Sequence, residues 1–379
     1  MAAAGGTSTS PVREGMQIDE AAVATYLAPR MPSLALPLEI KQFEHGQSNP
    51  TYFLRDARSQ RYVLRKKPPG VLLSQTAHAV EREYRVLRAL ADKTAVPVPK
   101  VYTLCEDTAV LGTPFYVMEF LDGRIFTDNL LRSVPDKARG AHYHAIVDAL
   151  AALHAVPYKE IGLADYGPAT GFYPRQLRRL AQVSAAQGRV TDPDDGSAVG
   201  PLPSLETSLE WLAAHAPPDE ATLCHGDFKL DNVVFHPTQP QVIGMLDWEL
   251  STLGHPLSDL ANLLLPFYTP LKPFGPMLAL MDLPRPLGIP EADELLRRYC
   301  ARTGRKYPIP GWDFCIAFAF FRLAVITQGV AARVKRKQAS SANALMVAKM
   351  FVPCANRIAE IAAHGLQTEG TNAGTSSKL

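Results

Sequence analysis

Between Leu223 and Asn232 the chain reads Leu-Cys-His-Gly-Asp-Phe-Lys-Leu-Asp-Asn, and Asp247-Trp248-Glu249 begins fifteen residues after Asn232. An aspartate (Asp227), an asparagine five positions on (Asn232) and a further aspartate (Asp247) beyond two short strands suit phosphoryl transfer. A hydroxyl nucleophile needs a carboxylate to orient it and take its proton. A polyphosphate needs Mg²⁺ held by hard oxygen donors, which carboxylates and amides supply. Asp227 and Asn232 share a short loop and can face one cleft. The apolar segments Val233–Phe235 and Val242–Leu246, joined by His236–Pro240, return the chain so that Asp247 shares the metal. Singly, each residue reads as a turn or a surface carboxylate; the spacing between apolar strands carries the functional reading.

Such a loop needs a scaffold, and the chain can build one. It has 379 residues, 47% of them hydrophobic and 20% charged, which excludes global disorder. With 39 Lys+Arg against 37 Asp+Glu, the net charge of +2 does not fit a dedicated nucleic-acid binder. The five cysteines are scattered and form no C-x-x-C, so neither a disulfide framework nor a structural zinc site is expected. The longest apolar run, Phe314–Phe321, is eight residues, too short for a bilayer span. No G-x-S-x-G, no Walker A sequence and no G-x-G-x-x-G after a strand is found. Cys224 and His225 point to opposite sides of an extended segment, which argues against a thiol dyad.

Thr51–Leu54 and Arg61–Arg65 flank a polar turn and predict a hairpin. Residues 78–92 predict a helix, with Val80, Tyr84, Leu87 and Ala91 on one face, stopped by Val96-Pro97-Val98-Pro99. Strands follow at 101–105 and 115–120. Helices are then expected at 140–155, 174–186, 204–215, 256–265, 290–303, 312–333 and 339–363, with a Gly/Asp/Pro/Ser-rich loop at 188–203. The expected organisation is a disordered leader (1–15), a β-rich N-lobe (16–121), a mainly helical C-lobe (122–363) and a flexible tail (364–379). The tail ends Ser377-Lys378-Leu379, the tripeptide read by the peroxisomal import receptor. That predicts a peroxisomal (or glycosomal) protein, cytoplasmic before import.

The pattern His225-Gly226-Asp227 with Asn232 resembles that of the aminoglycoside phosphotransferase-like kinases, relatives of choline and homoserine kinases. The likeness covers roughly residues 38–360. It implies an α+β, bilobal protein-kinase-like fold and an ATP- and Mg²⁺-dependent transfer to a hydroxyl of a small molecule. It further implies Asp227 as catalytic base, Asn232 and Asp247 as Mg²⁺ ligands, His225 as a brace of the loop, and Asp259 as a structural position. The alternatives are an aminoglycoside- or choline-type kinase of another substrate and a nucleotide-binding pseudokinase scaffold, the latter kept open by Arg65, which stands where the family pattern often has lysine.

A kinase needs a strand cation on the phosphates and a helix glutamate to orient it. Arg65 fills the strand place, with Lys66 and Lys67 as rivals; alternation puts Lys67 on the face of Arg65 and Lys66 on the other. Glu83 borders the apolar stripe of the helix, whereas Glu81 points further away, so Glu83 is the expected partner. The turn containing Gly46, Ser48 and Asn49 is placed to cover the phosphates with backbone N–H groups. Backbone groups of Glu119 and Leu121 would bond the adenine edge. Lys229, two after Asp227, can neutralise charge on the transferring group.

Leu246–Gly254 and Val63–Gly70 look most like the kinase region fused to certain acyl-CoA dehydrogenases, a branch implicated in phosphorylating 4-hydroxyacyl groups in fatty-acid catabolism. Because the sequence stops at 379, a dehydrogenase is expected as a separate partner. No membrane span and no nucleic-acid partner is expected. Arg333, Lys335, Arg336 and Lys337 read as a solvated helix end, with CoA phosphates as the sharper option.

Overall fold

The computed structural model describes residues 9–13, 15–43, 49–68, 79–275, 278–339 and 343–366. The chain falls into two compact units. The first runs through Gly167 and adds Thr222–Leu253 and Gly288–Pro290; the second holds Pro168–Ala221, Gly254–Leu287 and the chain from Glu291 on. This division differs from the composition boundary at residue 121. Helix Asp136–His154 and the segment that carries Asp227 and Asp247 belong with the sheet.

The first unit is built on six antiparallel strands, β1 (Thr9–Ser10), β2 (Glu39–Phe43), β3 (Thr51–Arg55), β4 (Arg61–Lys66), β5 (Val101–Cys105) and β6 (Phe115–Glu119). Their order is β1-β2-β3-β4-β6-β5. β1 lies inside the stretch read as a disordered leader. Thr9 and Ser10 instead pair with Phe43 and Gln42, a distant partnership in sequence that two polar residues do not announce. Alternation along β3 and β4 sends Tyr52, Leu54, Tyr62 and Leu64 to one face. There they form a core with Phe115, Val117 and two residues of helix α1 (Glu20–Leu27), Val23 and Leu27.

Helix α2 (Val80–Lys93) buries Val80, Glu83, Val86, Leu87 and Leu90. Glu83 therefore sits within the buried stripe rather than beside it. Thr94 ends the helix in extended backbone and Pro97 follows. After the single turn α3 (Thr108–Leu111) comes α4 (Asp136–His154). β7 (Thr222–Cys224) pairs with β10 (Thr252–Gly254), and β8 (Val233–Phe235) with β9 (Val242–Met245). The expected hairpin is thus present, with Val233 opposite Met245 and Val234 opposite Gly244.

The second unit is helical: α5 (Phe172–Gly188), α6 (Leu205–His215), α7 (Leu257–Leu264), α8 (Leu271–Phe274), α9 (Ala292–Thr303), α10 (Trp312–Lys335), α11 (Ala344–Val347) and α12 (Phe351–His364). By length and composition α10 is apolar enough to cross a membrane, but it is a core helix. Its Phe314 and Phe318 meet Tyr173 of α5 edge-on, and Phe320 and Phe321 are fully buried. The single helix expected at 339–363 is instead two pieces. Pro353 lies in the first turn of α12, where a residue without an N–H is tolerated, and so favours a fresh helix start at Phe351. The polar 188–203 segment closes on itself through a Thr191–Ala198 bridge. Lys335 and Lys337, at the end of α10, contact its Asp192 and Asp194, which gives those two cations carboxylate partners.

Candidate active site

The loop after β7 is shaped by two residues. Gly226 has φ +85°, and a Cβ there would lie 2.2 Å from the Leu250 carbonyl oxygen. Only glycine meets both demands without strain. Gly226→Ala is expected to lower the melting temperature by roughly 5 °C or more; an unchanged melt would show that the loop yields. His225 is fully buried. Its Nε2 lies 2.8 Å from the Leu246 carbonyl oxygen, and its Nδ1 accepts the Asp227 N–H at 3.3 Å. That pattern assigns the tautomer protonated on Nε2.

Asn232 ends a 3-10 turn, Leu230–Asn232, and its Nδ2 donates to the Asp227 backbone oxygen at 2.8 Å and to Asp227 Oδ2 at 3.1 Å. The Leu246 N–H donates to the Asn232 carbonyl oxygen at 2.8 Å. His225 and Asn232 thus hold the C=O and the N–H of Leu246, the residue before Asp247, and couple the two carboxylates through one backbone residue. Asp247 itself has φ +67°, ψ +63°, a left-handed conformation that aspartate tolerates better than most residues. Trp248 is buried, donates Nε1–H to the Met245 carbonyl and stacks obliquely on His225 at 4.7 Å.

The three candidate strand cations have different surroundings. Arg65 is 11% exposed; its Nε lies 3.1 Å from Glu83 Oε2, and its Nη2 lies 2.7 Å from Asp247 Oδ1 and 3.4 Å from Glu249 Oε2. Lys66 is buried on the other face, and burial lowers its pKa. Lys67 pairs with Glu81 at 2.7 Å. Burial works against the Arg65 charge, but Glu83 and Asp247 more than reverse this and hold its pKa above the ordinary arginine value.

Glu83 is 1% exposed and accepts from Asn49 Nδ2 at 2.9 Å and the Tyr116 hydroxyl at 3.0 Å. Burial pushes its carboxyl up to about 7, against the pull of Arg65 and with a push from Asp247. A carboxyl raised in the fold stabilises fully below its ordinary value near 4.5 and loses that contribution as pH rises through about 7. Stability is therefore expected to fall between these values by at most about 3 kcal/mol from this group. Glu83→Gln should flatten that slope in pH-dependent denaturation; an equally steep slope would locate its origin elsewhere.

Asn49, expected in the phosphate-covering turn, is buried and its amide is directed to Glu83. Gly46 and Ser48 lie outside the described residues. The Glu119 N–H donates to the Lys100 carbonyl at 2.8 Å, so what Glu119 has to offer an adenine edge is its carbonyl. Leu121 packs on Gly244, where a Cβ would come 2.1 Å from Leu121 Cδ1. Lys229 lies 3.4 Å from both Asp227 Oδ2 and Asp231 Oδ2, and its pKa is raised because those two carboxylates outweigh its burial.

Three positioning residues were not anticipated. Tyr116 lies opposite Arg65 in the β4–β6 register. Arg82 donates to the Tyr166 carbonyl at 2.9 Å and its guanidinium lies over the Tyr166 ring. The Tyr166 hydroxyl bonds Ser251 Oγ at 2.7 Å, four residues past Asp247. The donor set suits a hard divalent cation. Asn232 uses its nitrogen on Asp227, which leaves its Oδ1 as a candidate oxygen donor, and Asp247 offers a partly exposed carboxylate as a second.

The Phosphotransferase enzyme family (APH) model matches residues 39–315. The chain is 42% identical over 346 residues to acyl-CoA dehydrogenase family member 10 of Mus musculus, covering 90% of this chain and 31% of that one. It is 40% identical over 320 residues to acyl-CoA dehydrogenase family member 11 of Homo sapiens, covering 84% and 39%. The chain thus spans well under half the length of these curated relatives. A crystal structure of a candidate aminoglycoside phosphotransferase from Ralstonia eutropha superposes with a TM-score of 0.77 at 39% identity, covering 92% of this chain and 99% of that one. A thermostable mutant of aminoglycoside phosphotransferase APH(4)-Ia shares the fold, at 15% identity, with 92% of this chain and 100% of that one covered and a TM-score of 0.56. The α+β, bilobal kinase-like fold read from the sequence is borne out.

Proposed function

Since the chain belongs to the Phosphotransferase enzyme family, whose members place it among small-molecule kinases, we propose that it moves the terminal phosphoryl group of ATP to a hydroxyl of a small acyl metabolite, with hydroxyacyl-CoA as the substrate class. The observation that carries this reading is the linkage of Asp227, Asn232 and Asp247 through the backbone of Leu246. Asp227 orients the acceptor hydroxyl and takes its proton as oxygen attacks the γ-phosphorus and the bond to the leaving diphosphate breaks. Arg65 holds phosphate oxygens and is itself held by Glu83. Asn232 and Asp247 are the residues to hold Mg²⁺, which when bound neutralises the phosphate charge.

Nucleotide use is supported by a further form of APH(4)-Ia, solved as a ternary complex with ADP and hygromycin B. The acyl substrate is supported by the names of the curated relatives, and an acyl-CoA dehydrogenase is the proposed partner. Ser377-Lys378-Leu379 lies outside the described residues; on sequence grounds we extend the proposal to import-receptor recognition and a peroxisomal location. An unchanged distribution on deletion of Leu379 would remove that part.

The deciding assay incubates the protein with ATP, Mg²⁺ and a panel of hydroxyacyl-CoAs, aminoglycosides and amino alcohols, with products read by mass. A phosphorylated hydroxyacyl-CoA is expected. Product only from aminoglycosides or amino alcohols would retain the kinase and discard the substrate. The Arg65–Asp247 contact, which occupies a proposed metal ligand, favours a second reading as a nucleotide binder without turnover. Binding with no product from any acceptor would support it.

A further inference from the structure

Arg65 sits among three carboxylates, and its contacts are unequal. Nη2 donates to Asp247 Oδ1 at 2.7 Å and reaches Glu249 Oε2 only at 3.4 Å. Nε is within ion-pair distance of Glu83 Oε2, at 3.1 Å, yet its N–H is not directed there and is without a hydrogen-bond acceptor among the described residues. A buried guanidinium short of one bond is costly, and it cannot shed its charge by deprotonation. The group that holds it best, Asp247, is also the one the proposed metal takes. A metal on Asp247 draws on the same carboxylate charge that holds Arg65 and weakens that bond, even where the two cations use different oxygens, so the guanidinium needs a second carboxylate as a replacement.

We infer that Glu249 is that replacement: a positioning residue that takes over Arg65 when Asp247 turns to the metal, keeping the guanidinium aimed at the phosphates. Two features place it for the task. The 3-10 turn Trp248–Leu250 brings Glu249 back to the same Nη2 as Asp247, and its side chain is only 18% exposed, so it meets the cation with little solvent between. The fixed points on either side are the buried Trp248, bonded to Met245, and Ser251, whose Oγ donates to the Trp248 carbonyl and bonds the Tyr166 hydroxyl. Closing a 3.4 Å approach then takes a side-chain rotation, without movement of the backbone. The inference rests on the kinase reading, because it needs both a metal at Asp247 and phosphates at Arg65.

The test is equilibrium binding of AMP-PNP to the full chain, with saturating Mg²⁺ and with EDTA, for the wild type, Glu249→Gln, Arg65→Met and the double variant. Glu249→Gln is expected to weaken binding roughly tenfold with Mg²⁺ and about twofold or less without it, since Asp247 then still holds Arg65. In the Arg65→Met background the same change should add about twofold or less. Glu249→Asp, which keeps the charge, should recover part of the loss. Equal weakening with and without Mg²⁺ would mark Glu249 as merely structural. Additive losses in the double variant would mean it acts apart from Arg65, as a direct metal ligand would. Either result overturns the inference while leaving the kinase reading intact. If the wild type binds no nucleotide, the kinase reading falls and this inference falls with it.

Discussion

Asp227→Asn is expected to lower kcat by roughly 10²- to 10⁴-fold, the range for a positioned general base, while leaving the KM for nucleotide within about threefold. The substitution keeps shape and one acceptor oxygen but removes the group that takes the proton. It also keeps the fold of the loop. The loop's geometry depends on the backbone oxygen and N–H of residue 227, which bond Asn232 Nδ2 and His225 Nδ1, and neither bond needs the carboxylate charge. Rate loss with a normal melting curve and normal AMP-PNP binding is therefore the specific signature. Undiminished turnover would end the proposed mechanism. An equal loss from Asn232→Ala accompanied by a fall in melting temperature would show that loop integrity, not proton transfer, is being measured.

Much of this site was legible because its chemistry is local in sequence. Asp227, Gly226 and His225 are consecutive, Asn232 shares their loop, and the short hairpin with polar connector fixes where Asp247 returns. Period-2 alternation separated Arg65 from Lys66 correctly, as one faces Glu83 and the other the core side of the sheet. What sequence reading missed is held by contacts with no local trace. Asn49 and Tyr116 reach Glu83 across 34 and 33 residues. Tyr116 could have been found by pairing the strands, because residue 116 registers opposite Arg65. Asn49 could not, since a polar turn residue gives no sign that its amide will be buried. Helix α1 was missed because its Ala-rich text has little amphipathic contrast, and only the burial of Val23 and Leu27 in the sheet's core cluster makes it worth forming.

The second large effect concerns the cation and its buried carboxylate, and the two partners should not respond alike. Arg65→Met is expected to reduce kcat/KM by roughly 10²- to 10³-fold, the usual loss for one electrostatic contact to a developing charge. Its effect on stability should be small. Glu83 would lose its cation, but its carboxyl is already pushed up to about 7 by burial. It can protonate and still accept from Asn49 and Tyr116. Glu83→Ala removes the other partner. Arg65 cannot give up its proton, the Asn49 amide and Tyr116 hydroxyl are left without their acceptor, and a cavity opens under α2. That variant should lose about 3–5 kcal/mol, the cost of removing one partner of a buried pair together with the cavity and the two unmatched donors. Denaturant titration at neutral pH separates the two outcomes. If Arg65→Met proves the less stable variant, the pair is held by the guanidinium's bonds to Asp247 and Glu249 rather than by Glu83, and the site is anchored from the metal loop instead of from the helix.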